Sequence, residues 1–475
     1  MSNASDTTTA RPPAHPPAGP GAMRATPPPP IGQTASYVAE WERSETARAG
    51  QPAWLREQRH AARDRFVDVG FPGTRLEDWR FTNVAPIAES RFTLAGAGAL
   101  SPADLAPWTF DGIGLQLVFV NGRYAPALST ISGAGTLPAG VVAGPLAPAL
   151  AAGGADGTPF GRVVPSPLTT FPALNTAFFA DGAFVLLPPH TILDAPIHLL
   201  FITVADRART EAVMTHPRVL LVAGEDSQAR IIESYAGTPG ATYFTNALTE
   251  VSLGEHAVVE HCRVQRESDA AFHVGLMHVN GRRSSTFTSH AFALGGALVR
   301  NEIAAVMGGE GMECTLNGLY LATGRQLVDN HTTIDHATPH CSSHEIYKGV
   351  LAGRARGVFN GKIIVRPDAQ KTDAKQTNRA LLLSDDAVID TKPQLEIFAN
   401  DVKCTHGAAI GQLDDDAVFY LRSRAIGEQD ARTMLIHAFA GEVLDRVHIE
   451  PVRAQLRDEL TARLSAVLAS KGAQS

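Results

Sequence analysis

The chain has 475 residues, 44% hydrophobic and 19% charged, enough apolar material for a large core and a length that suits two or three domains. Its 41 Lys and Arg against 48 Asp and Glu leave a formal charge of −7, which argues against binding nucleic acid through its phosphates or an anionic membrane surface. The four cysteines, Cys262, Cys314, Cys341 and Cys404, lie far apart without C-x-x-C spacing, which disfavours a secreted disulfide scaffold and fits a reducing cytoplasm.

Residues 1–30 hold nine of the 31 prolines, so 1–35 is expected to be a disordered tail with too little apolar surface to offset chain entropy. It lacks the apolar core of a signal peptide. A helical region is expected over 36–110. Tyr37, Val38 and Trp41 share a face, Pro52 opens a second helix carrying Trp54, Leu55, Ala62 and Phe66, and Gly70 ends it. The charged and aromatic run Thr74–Thr82 reads, on its residues alone, as a solvated surface turn around one buried Trp.

From 111 to 424 the pattern changes to short β-rich runs such as Leu115–Val120 and Arg218–Val222, punctuated by Gly, Asp and Asn. The most apolar stretch, Ala183 to Val204, is broken by Pro188, Pro189, His190, Asp194, Pro196 and His198, so it does not read as a membrane span. One cadence recurs: an acidic or Gly turn, Ala, then β-branched residues, as at Gly254–Val259, Asp385–Ile389 and Asp415–Phe419. The last two start 30 residues apart, as do the turns at Gly224 and Gly254. Such a period without intervening helices predicts a β-solenoid, with a sandwich as the alternative. Over 425–475 two amphipathic helices are expected, one lined by Ala431, Met434, Leu435, Ala438, Phe439 and Val443, the next opened by Pro451. They would cap the solenoid end or dock a partner.

Three stretches could carry chemistry. Arg356–Ile363 approaches a phosphate-binding loop but has Arg where Gly is needed and Ile where Ser or Thr must follow Lys362, so no ATP site is evident in it. The run His331, Asp335, His336, His340, Cys341, His344, Glu345 is dense in zinc or iron ligands yet matches no standard spacing; hydrogen bonding between solenoid coils explains it better than a metal site. In Lys403-Cys404-Thr405-His406-Gly407 a thiol and an imidazole two residues apart share one strand face, and the adjacent Lys is expected to lower the thiol pKa. Two ligands cannot close a four-coordinate site, so other segments or a second chain must complete it.

The stretches Ser343–Gly349, Asn360-Gly361-Lys362 and Ala369–Gln376 strongly resemble the SufB/SufD family, the scaffold subunits of the SUF iron–sulfur cluster assembly system. Asp390–Ile397, Cys404–Ala408 and Phe419–Ile426 resemble its D branch, and Thr74–Trp79 is similar to its N-terminal motif. The B branch carries an essential cysteine six residues before the Pro matching Pro393; here that position is Ala387, and Gly407 stands where B-type chains tend to have Glu. The resemblance implies a right-handed parallel β-helix flanked by helical regions, mainly β, in a non-catalytic scaffold. It implies complexes with a SufB-like paralogue and a SufC-like ATPase, or a homodimer when isolated. It also implies that His406, with Cys404 close by, contacts iron or a nascent cluster shared with the paralogue. Met434, Leu435 and Phe439 would then lie where the ATPase docks, and reduced flavin would bind only in the complex. Two other readings stand beside it. One is a β-helical polysaccharide enzyme using Asp414, Asp415 and Asp416 as acid and base; the other is a purely structural partner.

Overall fold

Extended runs that return about every 30 residues can bury their apolar faces only by stacking on one another, and this is the architecture found. The computed structural model describes residues 34–472 except 49, 132–136, 158–159 and 206–210; the expected Pro-rich tail lies outside the described residues up to 33. The chain is mainly β, a parallel solenoid of about seven turns whose strands alternate between two long sheets. Successive coils pair in register: Arg218 opposite Leu248, Phe272 opposite Leu298, Val258 opposite Thr286, Arg356 opposite Val388, so from Arg218 onward one circuit takes 26 to 32 residues.

Because side chains alternate along a strand, each sheet has an inner and an outer face. Ile231, Val259, Phe287, Leu316, Tyr347 and Phe359 fill the space between the sheets. Some of the polar groups there pair with one another. Glu233 accepts from Tyr235, Thr249 and Arg263, all buried, and despite the opposing effect of burial Arg263 and His261 hold its carboxyl well below the usual range.

The outer faces are covered by the two helical regions. On one side Thr34–Ser44, Ala53–Val69 and Thr170–Phe178 pack Tyr37, Trp41, Phe66 and Phe171 against Phe244, Leu248, Val274 and Leu298. Ala53–Val69 ends where Gly70 turns to φ 60°, the left-handed conformation glycine adopts without strain. The run Thr74–Thr82 is not a free surface turn. It lies across the outer face: Arg300 Cζ is 3.8 Å from the Trp79 ring centroid, Thr82 donates to buried Asp329 at 2.5 Å, and Glu77 pairs with Lys392. The turn is held because Arg300 and Asp329, side by side on adjacent coils, give it charged and hydrogen-bonding partners.

On the other side Glu428–Leu444 and Glu450–Gly472 bury Ile436, Ala440, Val443, Leu456, Leu460 and Leu464 against Val264, Leu319, Val350 and Leu381. At about 1.5–3 kcal/mol per fully buried large aliphatic side chain, this seam holds the helices along the sheet. Lys348 reinforces it, donating to the Phe439 carbonyl at 2.7 Å and pairing with Glu442. The helices therefore flank the solenoid and do not cap its end. The buried stripe is also displaced from the expected one: Met434 is 50% exposed, while Ile436 and Ala440 face the sheet. No helix among the described residues is long and apolar enough to cross a membrane.

The cadence at Asp415–Phe419 is not a strand. Asp414 accepts from the backbone N–H of Asp416 and Ala417, and this N-cap starts a helix over Asp415–Arg422. The solenoid strands thus end at Gly411.

Candidate functional site

With the helices lying alongside, the final coil is left open. Its two strands, Val388–Ile397 and Lys403–Gly411, are the terminal strands of the two sheets, each hydrogen-bonded to an earlier coil on one side alone among the described residues. Lys403–Gly411 is exposed along nearly its whole length. Around this end Val388, Ile397, Phe398 and Ile410 are between 40% and 62% exposed, and Phe419 and Tyr420 on the following helix are 71% and 56% exposed. Unpaired strand edges beside uncovered apolar side chains make a template for another chain.

Cys404 and His406 both lie on this edge. Cys404 continues an inner column through Cys314, Ser343 and Ala374; His406 continues the neighbouring one through Leu316, Glu345 and Gln376. The two side chains therefore lie on the same face, as their spacing requires. His406 is exposed, whereas Cys404 is half-buried against the group formed by Ile363, Val365, Ala369 and Ala374. The expected lowering of the thiol pKa by Lys403 is not found. Burial and then the nearby Asp373 carboxylate push the Cys404 thiol up, outweighing a hydrogen bond from the Ala374 backbone.

The histidine-rich run is dispersed. His331 lies on the outer face, 2.9 Å from Asp329, beside a cavity of about 290 Å³ lined by Trp79, Arg300, Asn360 and Lys362. His336 points to the interior and bonds Ser343 at 2.9 Å. His340 is exposed in a turn with φ 60°, and Cys341 is buried with its thiol 3.4 Å from the Gly309 carbonyl. Among the described residues no three His, Cys, Asp or Glu converge as a metal site. Cys262 and Cys314 are buried, and desolvation raises both thiols. Arg356–Ile363 lies within the strand Arg356–Val365, not in a loop. The carboxylate of Asp414 serves as a helix cap, which removes it from an acid–base pair with Asp415 and Asp416.

Met434 is well exposed on Glu428–Leu444; Leu435 is half-buried, and Phe439 lies under Lys348, whose Nζ is 4.5 Å from the ring centroid. Sequence reasoning missed the exposed apolar rim at Phe398, Ile410, Phe419 and Tyr420. The signal available was the N-cap Asp414 just after Gly411, which marks where strand stacking stops.

Two family models match: the SufBD protein N-terminal region over residues 33–199 and the SufBD core domain of SUF system FeS cluster assembly over 204–439. The chain belongs to the SufBD family. An iron–sulfur cluster assembly SufBD family protein of Synechocystis is 35% identical over 86% of this chain and 91% of its own length. The iron–sulfur cluster assembly protein SufD of Escherichia coli is 31% identical over 83% and 90%, and that of Bacillus subtilis 26% over 90% and 98%. The likeness to the D branch read from the motifs is thereby supported.

Proposed function

We propose that this chain is a non-catalytic scaffold subunit for iron–sulfur cluster assembly. A SufB-like paralogue docks on the open last coil, a SufC-like ATPase docks on Glu428–Leu444, and His406 helps to hold iron, the cargo, between the two scaffold chains. The observation that carries this reading is the exposed strand Lys403–Gly411, an unpaired sheet edge with an accessible imidazole and a neighbouring thiol on one face. Two donors leave an iron ion open to ligands from the docked chain, which suits a shared and transient site. Membership of a family whose core is described as FeS cluster assembly supports the chemistry, and relatives named SufD support the branch. The test is anaerobic co-purification of the chain with both partners, followed by iron and sulfide analysis. A complex without iron, or a chain that associates with neither partner, overturns the reading.

The docking helix has its own test. Met434 is the best probe, because half of it is exposed and an Asp there need not disturb the seam at Ile436 and Ala440. Met434→Asp is expected to weaken ATPase binding by about 2 kcal/mol, roughly 30-fold, by placing a charge in an apolar contact. Titration calorimetry with the purified ATPase reads it. Unchanged affinity in a normally folded variant moves the docking site elsewhere.

A further inference from the structure

Three of the motif segments singled out in the sequence meet inside the solenoid, directly behind the open edge. Glu345, Gln376 and His406 are register partners in three successive coils, on the inner face of one sheet. Gly361 faces them from the other sheet: a Cβ there would lie 2.2 Å from Gln376 Nε2, so only glycine leaves the amide its place. Gln376 Nε2 donates to Glu345 Oε2 at 2.5 Å, with both side chains buried. Below Glu345 the column continues with Leu316, which offers no polar partner. On the open side Gln376 Oε1 is buried and has no hydrogen-bond partner among the described residues.

This column has a direction. Burial pushes the Glu345 carboxyl up to about 7, so above that pH it is ionised and only accepts hydrogen bonds, and the amide must turn its NH₂ toward Glu345 and its carbonyl oxygen away. A buried carbonyl oxygen left without a donor costs about 1–3 kcal/mol. Adjacent parallel strands lie about 4.8 Å apart, so the next side chain in the column, His406, is the one placed to supply an N–H. A metal-bound imidazole commonly donates its second ring nitrogen to a carbonyl or carboxylate, which sets tautomer and ring orientation.

We propose that Gln376, held by Glu345 and given room by Gly361, is a positioning residue for His406: its Oε1 accepts one ring N–H and leaves the other ring nitrogen, as a lone pair, facing out to iron. The assignment of His406 as an iron contact rests on the function proposed above; the hydrogen bond does not. The arrangement gives the three motif segments one purpose, since Glu345 sets the polarity of the amide, Gly361 its position and Gln376 the tautomer of the ring.

The experiment is nitrogen NMR of the full chain with ¹⁵N-labelled histidine at about pH 8.5, where an ordinary imidazole is neutral. The His406 signals are identified by their loss in His406→Ala. In the unsubstituted chain the two ring nitrogens are expected at the well-separated shifts of a single tautomer. Gln376→Met, similar in size but without the amide, should bring them toward averaged values. Glu345→Gln keeps the column's volume and frees the amide to flip, so it should do the same and decides the matter if Gln376→Met does not fold. Averaged shifts in the unsubstituted chain, or shifts unchanged in whichever variant folds, overturn the proposal. In the three-subunit complex Gln376→Met should also lower iron affinity about 10-fold or more. Full iron content in the His406→Ala complex would overturn the functional reading alone, because the tautomer shifts are measured without iron.

Discussion

The His406→Ala complex, purified anaerobically with its paralogue and ATPase, is expected to contain almost no iron or sulfide while assembling normally. The side chain is exposed on the last strand, so its removal should cost no more than its one hydrogen bond to buried Gln376, about 1–3 kcal/mol, and leave the fold intact. An imidazole is a suitable iron ligand, and no other histidine lies on the exposed coil to replace it among the described residues. Cys404→Ser should show a milder defect. Burial already keeps that thiol protonated, and a thiol is a far weaker ligand than a thiolate, so serine removes less than the residue type suggests. Iron and sulfide content, together with growth of a strain that depends on this pathway, reads both variants. Normal iron and growth for His406→Ala would sink the assignment and turn attention to His331 beside its cavity.

The solenoid was legible because its repeat is physical: a coil that closes on itself and buries one face needs a roughly constant number of residues, and the turns at Gly224 and Gly254 show that number directly. The 30-residue spacing of Asp385 and Asp415 was misleading for an instructive reason. Both begin with acids followed by Ala and Val, but Asp414 offers a side-chain oxygen to two backbone N–H groups, and that local bond selects helix over strand. The helix stripe was misread in part: Ala431 and Val443 are buried as expected, but Met434 and Ala438 are exposed while Ile436 and Ala440 face the sheet. Met434 and Phe439 are as apolar as Ile436, and only the shape of the sheet beneath decides which of them faces it.

The candidate site was legible as a pair, since period two alone puts Cys404 and His406 on one face. That this strand is the open edge was not, because the edge exists only through the lateral packing of helices whose sequence suits a cap equally well. The histidine run was ambiguous for the same reason that the pair was clear. Alternation separates His331 from His336 as surely as it joins Cys404 to His406, sending one to the outer face and the other inward.

Several interior histidines also predict how the fold responds to acid. Burial lowers His198 and His216 to about 3, with the Arg266 and Arg48 charges adding to it, and lowers His336 to about 4 against the opposing pull of Asp335. Each stays neutral in the folded chain over a range in which the unfolded chain takes up a proton near pH 6.5. Between that value and about 4 the unfolded state therefore binds more protons, and stability falls as pH falls. Glu345 acts in the opposite sense. Burial pushes its carboxyl up to about 7, so between its unfolded value near 4.5 and 7 the folded chain holds the extra proton and gains stability on acidification. Taken by themselves, these three histidines and this carboxyl contribute a net loss of about 2 kcal/mol between pH 7.5 and 5.5, steepening toward about 2.7 kcal/mol per pH unit below that, and burial of His261 and His278 acts in the same direction as the histidines. Glu345→Gln removes the offset, so the loss over the same two units should grow to about 4 kcal/mol. Urea denaturation of both chains at the two pH values measures it. Equal stability at pH 7.5 and 5.5, or a smaller acid loss in Glu345→Gln than in the unsubstituted chain, would mean that these interior groups titrate in the folded state much as they do in water, and that the solenoid interior is wetter than its packing indicates.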